Sequence, residues 1–196
     1  MLYLIPTIFY SLGISGWVFT PILTPIALAA IAANVDAGAS AANIFCDEVV
    51  FGLIALGGRG CTLPLSCLML KAKSTKLKVL GKTCIVPSIL NINEPLVFGC
   101  VAWNPLLMIP MWIIAIVTVT TTYIALHFGL VPIPNAVFSL WYCPEFLNGF
   151  LISGIRGVIL TAVNFALAAM IWYPFFKMYD KKLLEEEANG FDDEED

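Results

Sequence analysis

Charge is scarce in this sequence. Residues 1–35 carry none, and between Lys82 and Glu145 the single charged side chain is Glu94. Only 12% of the 196 residues are charged and 60% are hydrophobic, with a mean hydropathy of +0.90. A soluble domain carries about 25% charge, so the composition excludes one and implies an integral membrane protein. No basic stripe with interleaved aromatics is present, which excludes nucleic acid as a partner. The six cysteines, Cys46, Cys61, Cys67, Cys84, Cys100 and Cys143, form no CxxC pair and no zinc spacing. Most sit in apolar runs, where a free thiol packs as a small hydrophobe; neither metal nor cofactor is expected. The one histidine, His127, lies beside Gly129 and reads as a helix-end residue. A charged n-region is missing ahead of the long apolar start, so no cleavable signal pattern is seen. The net charge of −4 is misleading, because eight of the fourteen acids lie in the last twelve residues and the membrane part is mildly basic.

Apolar runs and their breaks organise the rest. The uncharged start exceeds one span, which needs about 20 residues. Gly13, Gly16, Pro21 and Pro25 predict a first helix, an unwound GISG turn and a second apolar segment through about Ala33. Asp36 to Glu48 is small and polar and reads as a loop or helix end at an interface. Gly57, Gly58 and Gly60 around Arg59 allow positive φ and close backbone approach, a weak signal in itself. Five lysines from Lys71 to Lys82, and Lys177, Lys181 and Lys182 near the end, mark two cytoplasmic segments by the positive-inside rule. An even number of crossings must separate them. Pro105 to about Leu126 gives one and Leu151 to Phe176 the other, so the C-terminus is expected to be cytoplasmic. Gly129 to Leu147, broken by prolines, reads as an extracytoplasmic loop. Residues 183–196 are expected to be an acidic tail, a short amphipathic turn and then disorder. No internal repeat is visible.

The central stretch is Ile85 to Pro105, IVPSILNINEPLVFGCVAWNP. A carboxylate at membrane depth is costly and marks a functional site. Pro87, Pro95 and Pro105 oppose one smooth helix, and irregular backbone in a bilayer must be buried in protein or line a wet cavity. The stretch is therefore read as a re-entrant hairpin with Asn91, Asn93 and Glu94 at its tip. The amides either cap broken helices or contact a ligand. Glu94 is either a reactive carboxylate or a buried strut paired with Arg59 or a lysine.

The string GKTCIVPSILNINEPLVFGCVAWNPLLMIPMW resembles the core of the IIC (permease) component of the bacterial sugar phosphotransferase system, lactose/cellobiose type. Asn91 to Pro95, Phe98, Gly99, Asn104, Pro105, Ile109 and Pro110 match its pattern, while Leu90 and Met111 replace two phenylalanines. Gly57, Gly58, Gly60, Thr62 and Leu63 resemble its GGxGxTL turn, Trp141 and Pro144 its WTTP, and Tyr173 to Lys177 its YPFFK. The resemblance covers nearly all of this chain and about half of a family member, the substrate-binding half. It implies an all-α multi-span helical bundle with re-entrant hairpins, membrane-embedded over residues 1–182, in the bacterial cell membrane. It implies a permease that binds and translocates a disaccharide for phosphorylation by a IIB partner. Glu94 would be the catalytic carboxylate, and Asn91, Asn93, Glu94, Ser15, Gly57, Gly58 and Thr62 would contact substrate, with Thr62 weighed also as structural. The expected partners are the disaccharide, IIB and IIA at the cytoplasmic face, the lipid bilayer, and a second copy or a separate N-terminal half. One departure stands out. The family's G-I-H-G motif reads Gly13, Ile14, Ser15, Gly16 here, and serine cannot shuttle a proton near neutral pH as histidine can. A non-catalytic half-subunit is therefore the alternative.

Overall fold

The computed structural model describes residues 1–138 and 141–192, and every regular element among them is helical. Helix α1 (Leu4–Ser11) ends where Gly13 takes φ +84°, and a 3-10 turn at Gly16–Phe19 leads into α2 (Thr20–Ala37). The expected GISG break is thus present, and the second segment runs on to Ala37. After it come α3 (Asp47–Val49), α4 (Leu63–Met69), α5 (Thr75–Ile89), α6 (Glu94–Leu96), α7 (Pro105–His127) and α8 (Glu145–Asp192). Proline starts helices where its fixed φ suits a first turn: Pro64, Pro95 and Pro105 occupy first-turn positions of α4, α6 and α7. Asn104 caps α7, its Oδ1 accepting the Leu106 N–H at 3.2 Å. Pro87 behaves differently and lies inside α5, near its end.

Among the described residues, three segments are long and apolar enough to cross a membrane: Gly16–Ser40, Pro105–His127 and Glu145–Asn189. Helix α8 is broken at Ser153 and Gly154, where Gly154 has φ 64° and ψ −154°. The loop expected to run to Leu147 therefore ends at Glu145, and a short limb precedes the long helix. Residues 155–189 span about 50 Å at 1.5 Å per residue, well beyond a hydrocarbon core of about 30 Å.

That surplus length carries the helix on to Asp192, where disorder was expected from residue 183; residues 193–196 of that tail lie outside the described residues. Tertiary contacts hold the helix. Leu183 is buried in the core, Asp180 accepts the Lys73 and Ser74 N–H groups, and Glu187 accepts those of Thr75 and Lys76. The exposed pairs Lys181–Glu185 and Lys182–Glu186, at 3.5 and 3.7 Å, add little. The lysine-rich segment is likewise mostly helix: Lys76, Lys78 and Lys82 lie on α5, all exposed.

The core forms two clusters. One gathers Leu56, Leu65, Met69, Leu77, Met111 and Trp172, and the other Tyr3, Val49, Leu53, Ala115, Leu126 and Leu160. Buried polar side chains tie the long helices to the broken segments between them. Trp172 donates its indole N–H to the Cys61 carbonyl at 3.0 Å, and Asn164 donates to the Leu53 carbonyl at 2.8 Å and to Thr122 Oγ1 at 2.9 Å. All six cysteines are free, and all but Cys67 are buried. His127 stacks on Tyr123 at the end of α7, with ring centroids 5.5 Å apart.

Candidate functional site

Two short limbs share an architecture that sequence inspection did not show as a repeat. Helix α3 continues as a five-residue π-helix, Val50–Ile54, and α6 continues as another, Val97–Val101. Each π-turn opens on Val-Phe-Gly, at 50–52 and 97–99. Asp47 heads the first limb and Glu94 the second; a carboxylate there suits the positive end of the backbone dipoles. π-Turns of this kind recur at functional sites.

The tip ahead of Glu94 is held by its two asparagines. Asn91 sits in the left-handed region at φ 60°, which asparagine tolerates better than most residues. Its Oδ1 accepts the Gly57 N–H at 2.8 Å, and its amide donates to Glu145 Oε2 at 2.7 Å and to the Cys143 carbonyl at 3.2 Å. Asn93 donates to the Arg59 carbonyl at 2.9 Å and to Thr62 Oγ1 at 3.0 Å, and accepts the Tyr10 hydroxyl at 3.0 Å. Neither caps a helix through its side chain: the α6 cap, Asn93, makes no such bond. Asn91 instead stitches the tip to the glycine turn and to α8, and Asn93 stitches it to the glycine turn and to α1.

The glycine turn is built for that approach. Gly58 has φ +95°, and a Cβ on it would lie 2.5 Å from the Asn93 side chain; one on Gly57, at φ +74°, would lie 2.5 Å from the Leu63 nitrogen. Thr62 is fully buried and donates to the Gly57 carbonyl at 2.7 Å. The close-approach reading of these glycines and the structural reading of Thr62 account for what they do.

Against this frame lies a cavity of about 240 Å³. Of the residues expected to meet a substrate, Gly58, Asn91, Asn93 and Glu94 line it, whereas Ser15, Gly57 and Thr62 do not. Ser15 instead starts the 3-10 turn, its Oγ 3.4 Å from the Trp17 nitrogen. Glu94 is half-buried, with no hydrogen bond or ion pair among the described residues. It is not a strut on Arg59: that guanidinium lies over the Tyr3 ring, 5.1 Å from its centroid, and reaches the Tyr3 carbonyl at 3.4 Å. Trp17 and Trp141 meet edge to face on the cavity wall, centroids 5.6 Å apart, so Trp141 faces the cavity.

Sequence reasoning missed Asp47, Glu48 and Tyr10, which also line the cavity, as does Arg59, weighed there as a partner for Glu94. Glu48, read as part of an interfacial loop, is only 4% exposed. The available signal was the spacing of an acid ahead of Val-Phe-Gly, which occurs at Asp47–Gly52 as well as at Glu94–Gly99.

The model of the family described as "Phosphotransferase system, EIIC" matches residues 2–115. The chain is 39% identical over 173 residues to the lichenan permease IIC component of Bacillus subtilis (strain 168), covering 85% of this chain and 38% of that one. It is 40% identical over 152 residues to the cellobiose-specific EIIC component of Geobacillus stearothermophilus, covering 75% and 34%. Its fold superposes on the crystal structure of the transporter ChbC, the IIC component from the N,N'-diacetylchitobiose-specific phosphotransferase system, with a TM-score of 0.89 and 37% identity, over 96% of this chain and 47% of that one. The chain thus spans less than half the length of these relatives. Family model, sequence relatives and fold agree, and the chain belongs to the phosphotransferase system EIIC family.

Proposed function

We propose that this chain forms the substrate-binding part of a disaccharide permease, in which Glu94 accepts the proton of the sugar hydroxyl that is phosphorylated. The observation that carries this reading is the placement of Glu94: a carboxylate on a cavity wall, heading a helical limb, with its own tip held rigid by neighbours rather than by itself. The relatives named for lichenan, cellobiose and N,N'-diacetylchitobiose favour a β-linked disaccharide. A sugar needs a few fixed polar partners in a mostly apolar pocket, and aromatic walls such as Trp17 and Trp141 suit its apolar faces.

In the reaction, the hydroxyl oxygen attacks the phosphorus of a phosphocysteine on a IIB partner. An O–P bond forms, the S–P bond breaks and the thiolate leaves. The hydroxyl proton passes to Glu94, which requires an approach of about 3 Å. The exposed lysines on and before α5 and the Lys181–Lys182 end of α8 form the face on which a IIB protein docks, and by the positive-inside rule that face and the C-terminus are cytoplasmic. Broken helices with rigid-body motion are the usual transporter device, and the two limbs fit it.

The test is Glu94→Gln in a phosphotransferase assay complemented with IIA, IIB and any further permease segment. Sugar-dependent phosphotransfer should vanish while protein levels in the membrane stay normal; activity at the wild-type rate would remove Glu94 from the mechanism. A second reading, a non-catalytic half-subunit, is favoured by Ser15, whose hydroxyl serves the 3-10 turn and lies off the cavity wall.

A further inference from the structure

The first limb, headed by Asp47, holds a feature that the proposed chemistry does not use. Glu48 follows Asp47 in α3, is 4% exposed and lines the same cavity as Glu94. One oxygen, Oε1, accepts the Phe138 N–H at 3.2 Å. The other, Oε2, is buried with no hydrogen-bond partner among the described residues. The neighbouring Cys46 thiol is a weak donor at best. A buried acceptor left without a donor is costly, and buried polar atoms of this kind call for an explanation.

We propose that Glu48 is a specificity-determining residue: its Oε2 accepts a hydrogen bond from one hydroxyl of the bound disaccharide, a different hydroxyl from the one Glu94 deprotonates. This rests on the disaccharide reading above. Three other polar groups of the wall are already engaged by the protein. Asn91 and Asn93 each make three hydrogen bonds to protein partners, and Arg59 is held at Tyr3. Glu48 thus adds a second acceptor at the cavity, held on one side by the Phe138 N–H.

Glu48→Gln is informative because the amide has a single acceptor oxygen. Whichever way it is turned, either the Phe138 N–H or the sugar hydroxyl meets an NH2 group. The purified full chain is titrated with cellobiose, lactose and N,N'-diacetylchitobiose, then with the monodeoxy derivatives of whichever binds. Glu48→Gln should weaken binding of the parent sugar roughly 10- to 100-fold. One monodeoxy sugar should lose similar affinity for the wild type and lose almost nothing further on the variant. That position should differ from the one coupled to Glu94→Gln. Glu48→Asp, which keeps the charge but withdraws it by a methylene, should show the same coupling should the glutamine variant fail to fold. Unchanged affinity for the parent sugar, or an equal loss for every deoxy derivative, would overturn the role assigned to Glu48 and leave the permease reading intact. Absence of wild-type binding to all three sugars would overturn both.

Discussion

Replacing Asn91 tests whether the hairpin tip is held by its amides or merely presents them. In Asn91→Ala three groups lose their partner: the Gly57 N–H, the Cys143 carbonyl and Glu145 Oε2. Glu145 is 2% exposed and its Oε1 already has no partner, so its carboxyl is left with no hydrogen bond. Each orphaned buried group costs about 1–3 kcal/mol, and partial relaxation brings the sum to about 3–5 kcal/mol. The φ of 60° at Asn91 adds about 1 kcal/mol for alanine. Asn91→Gly relieves that term while losing the same bonds, so the two variants should differ by about that amount. For a chain of this size, about 2–4 °C of melting temperature accompanies each kcal/mol, which predicts a fall of roughly 8–24 °C for Asn91→Ala in detergent without sugar. Thermal unfolding followed by tryptophan fluorescence reads it. A melting temperature within 2 °C of wild type, combined with a large loss of sugar affinity, would refute the bracing argument and make Asn91 a substrate ligand.

Gly58→Ala should destabilise by about 1–3 kcal/mol through overpacking, since its Cβ would sit 2.5 Å from Asn93 at a φ of +95°; Gly38→Ala, with open space but positive φ, is the control in the same melting assay. Asp180→Ala removes the carboxylate that accepts the N–H groups of Lys73 and Ser74 and the Ser74 hydroxyl, and should cost about 1–2 kcal/mol as a lost cap. Asp180→Asn should recover part of it, and hydrogen exchange at the start of α5 localises the effect. Ser15→His should raise phosphotransfer in the complemented assay when the serine is what limits the site; an unchanged rate at every protein level would place the limit elsewhere.

What was legible in the sequence was what local chemistry fixes. Pro105 behind Asn104 announces the start of α7, Gly13 breaks α1 from α2, and Glu94, alone among apolar residues, marks the tip. What was not legible depended on residues distant in the chain. The partners of Asn93 lie at Tyr10, Arg59 and Thr62, and those of Asn91 at Gly57, Cys143 and Glu145; no window around residues 91–93 contains them. The tail looked like a solvated acidic run because its composition is one, yet Glu187 meets the N–H groups of Thr75 and Lys76, an arrangement that only the length of α8 makes reachable. Glu48 was hidden for a similar reason, since its partner is the Phe138 N–H, ninety residues on.

These long-range bonds also change what the tip can do. An Asn-Ile-Asn-Glu sequence in a membrane looks like a cluster of ligands for a polar substrate, with amides and acid alike on offer. Folding divides the labour. Each amide makes three bonds that brace the tip before Glu94, Asn91 to the glycine turn and α8 and Asn93 to the glycine turn and α1, and rigid placement is what general-base chemistry needs, because a misplacement of about 1 Å can cost about 100-fold in rate. The acids, by contrast, keep unpaired acceptor oxygens among the described residues: Glu94 makes no hydrogen bond there, and Glu48 Oε2 has no partner. Substitutions at the amides should therefore register first in stability and only then in turnover, and substitutions at Glu94 and Glu48 in the reverse order.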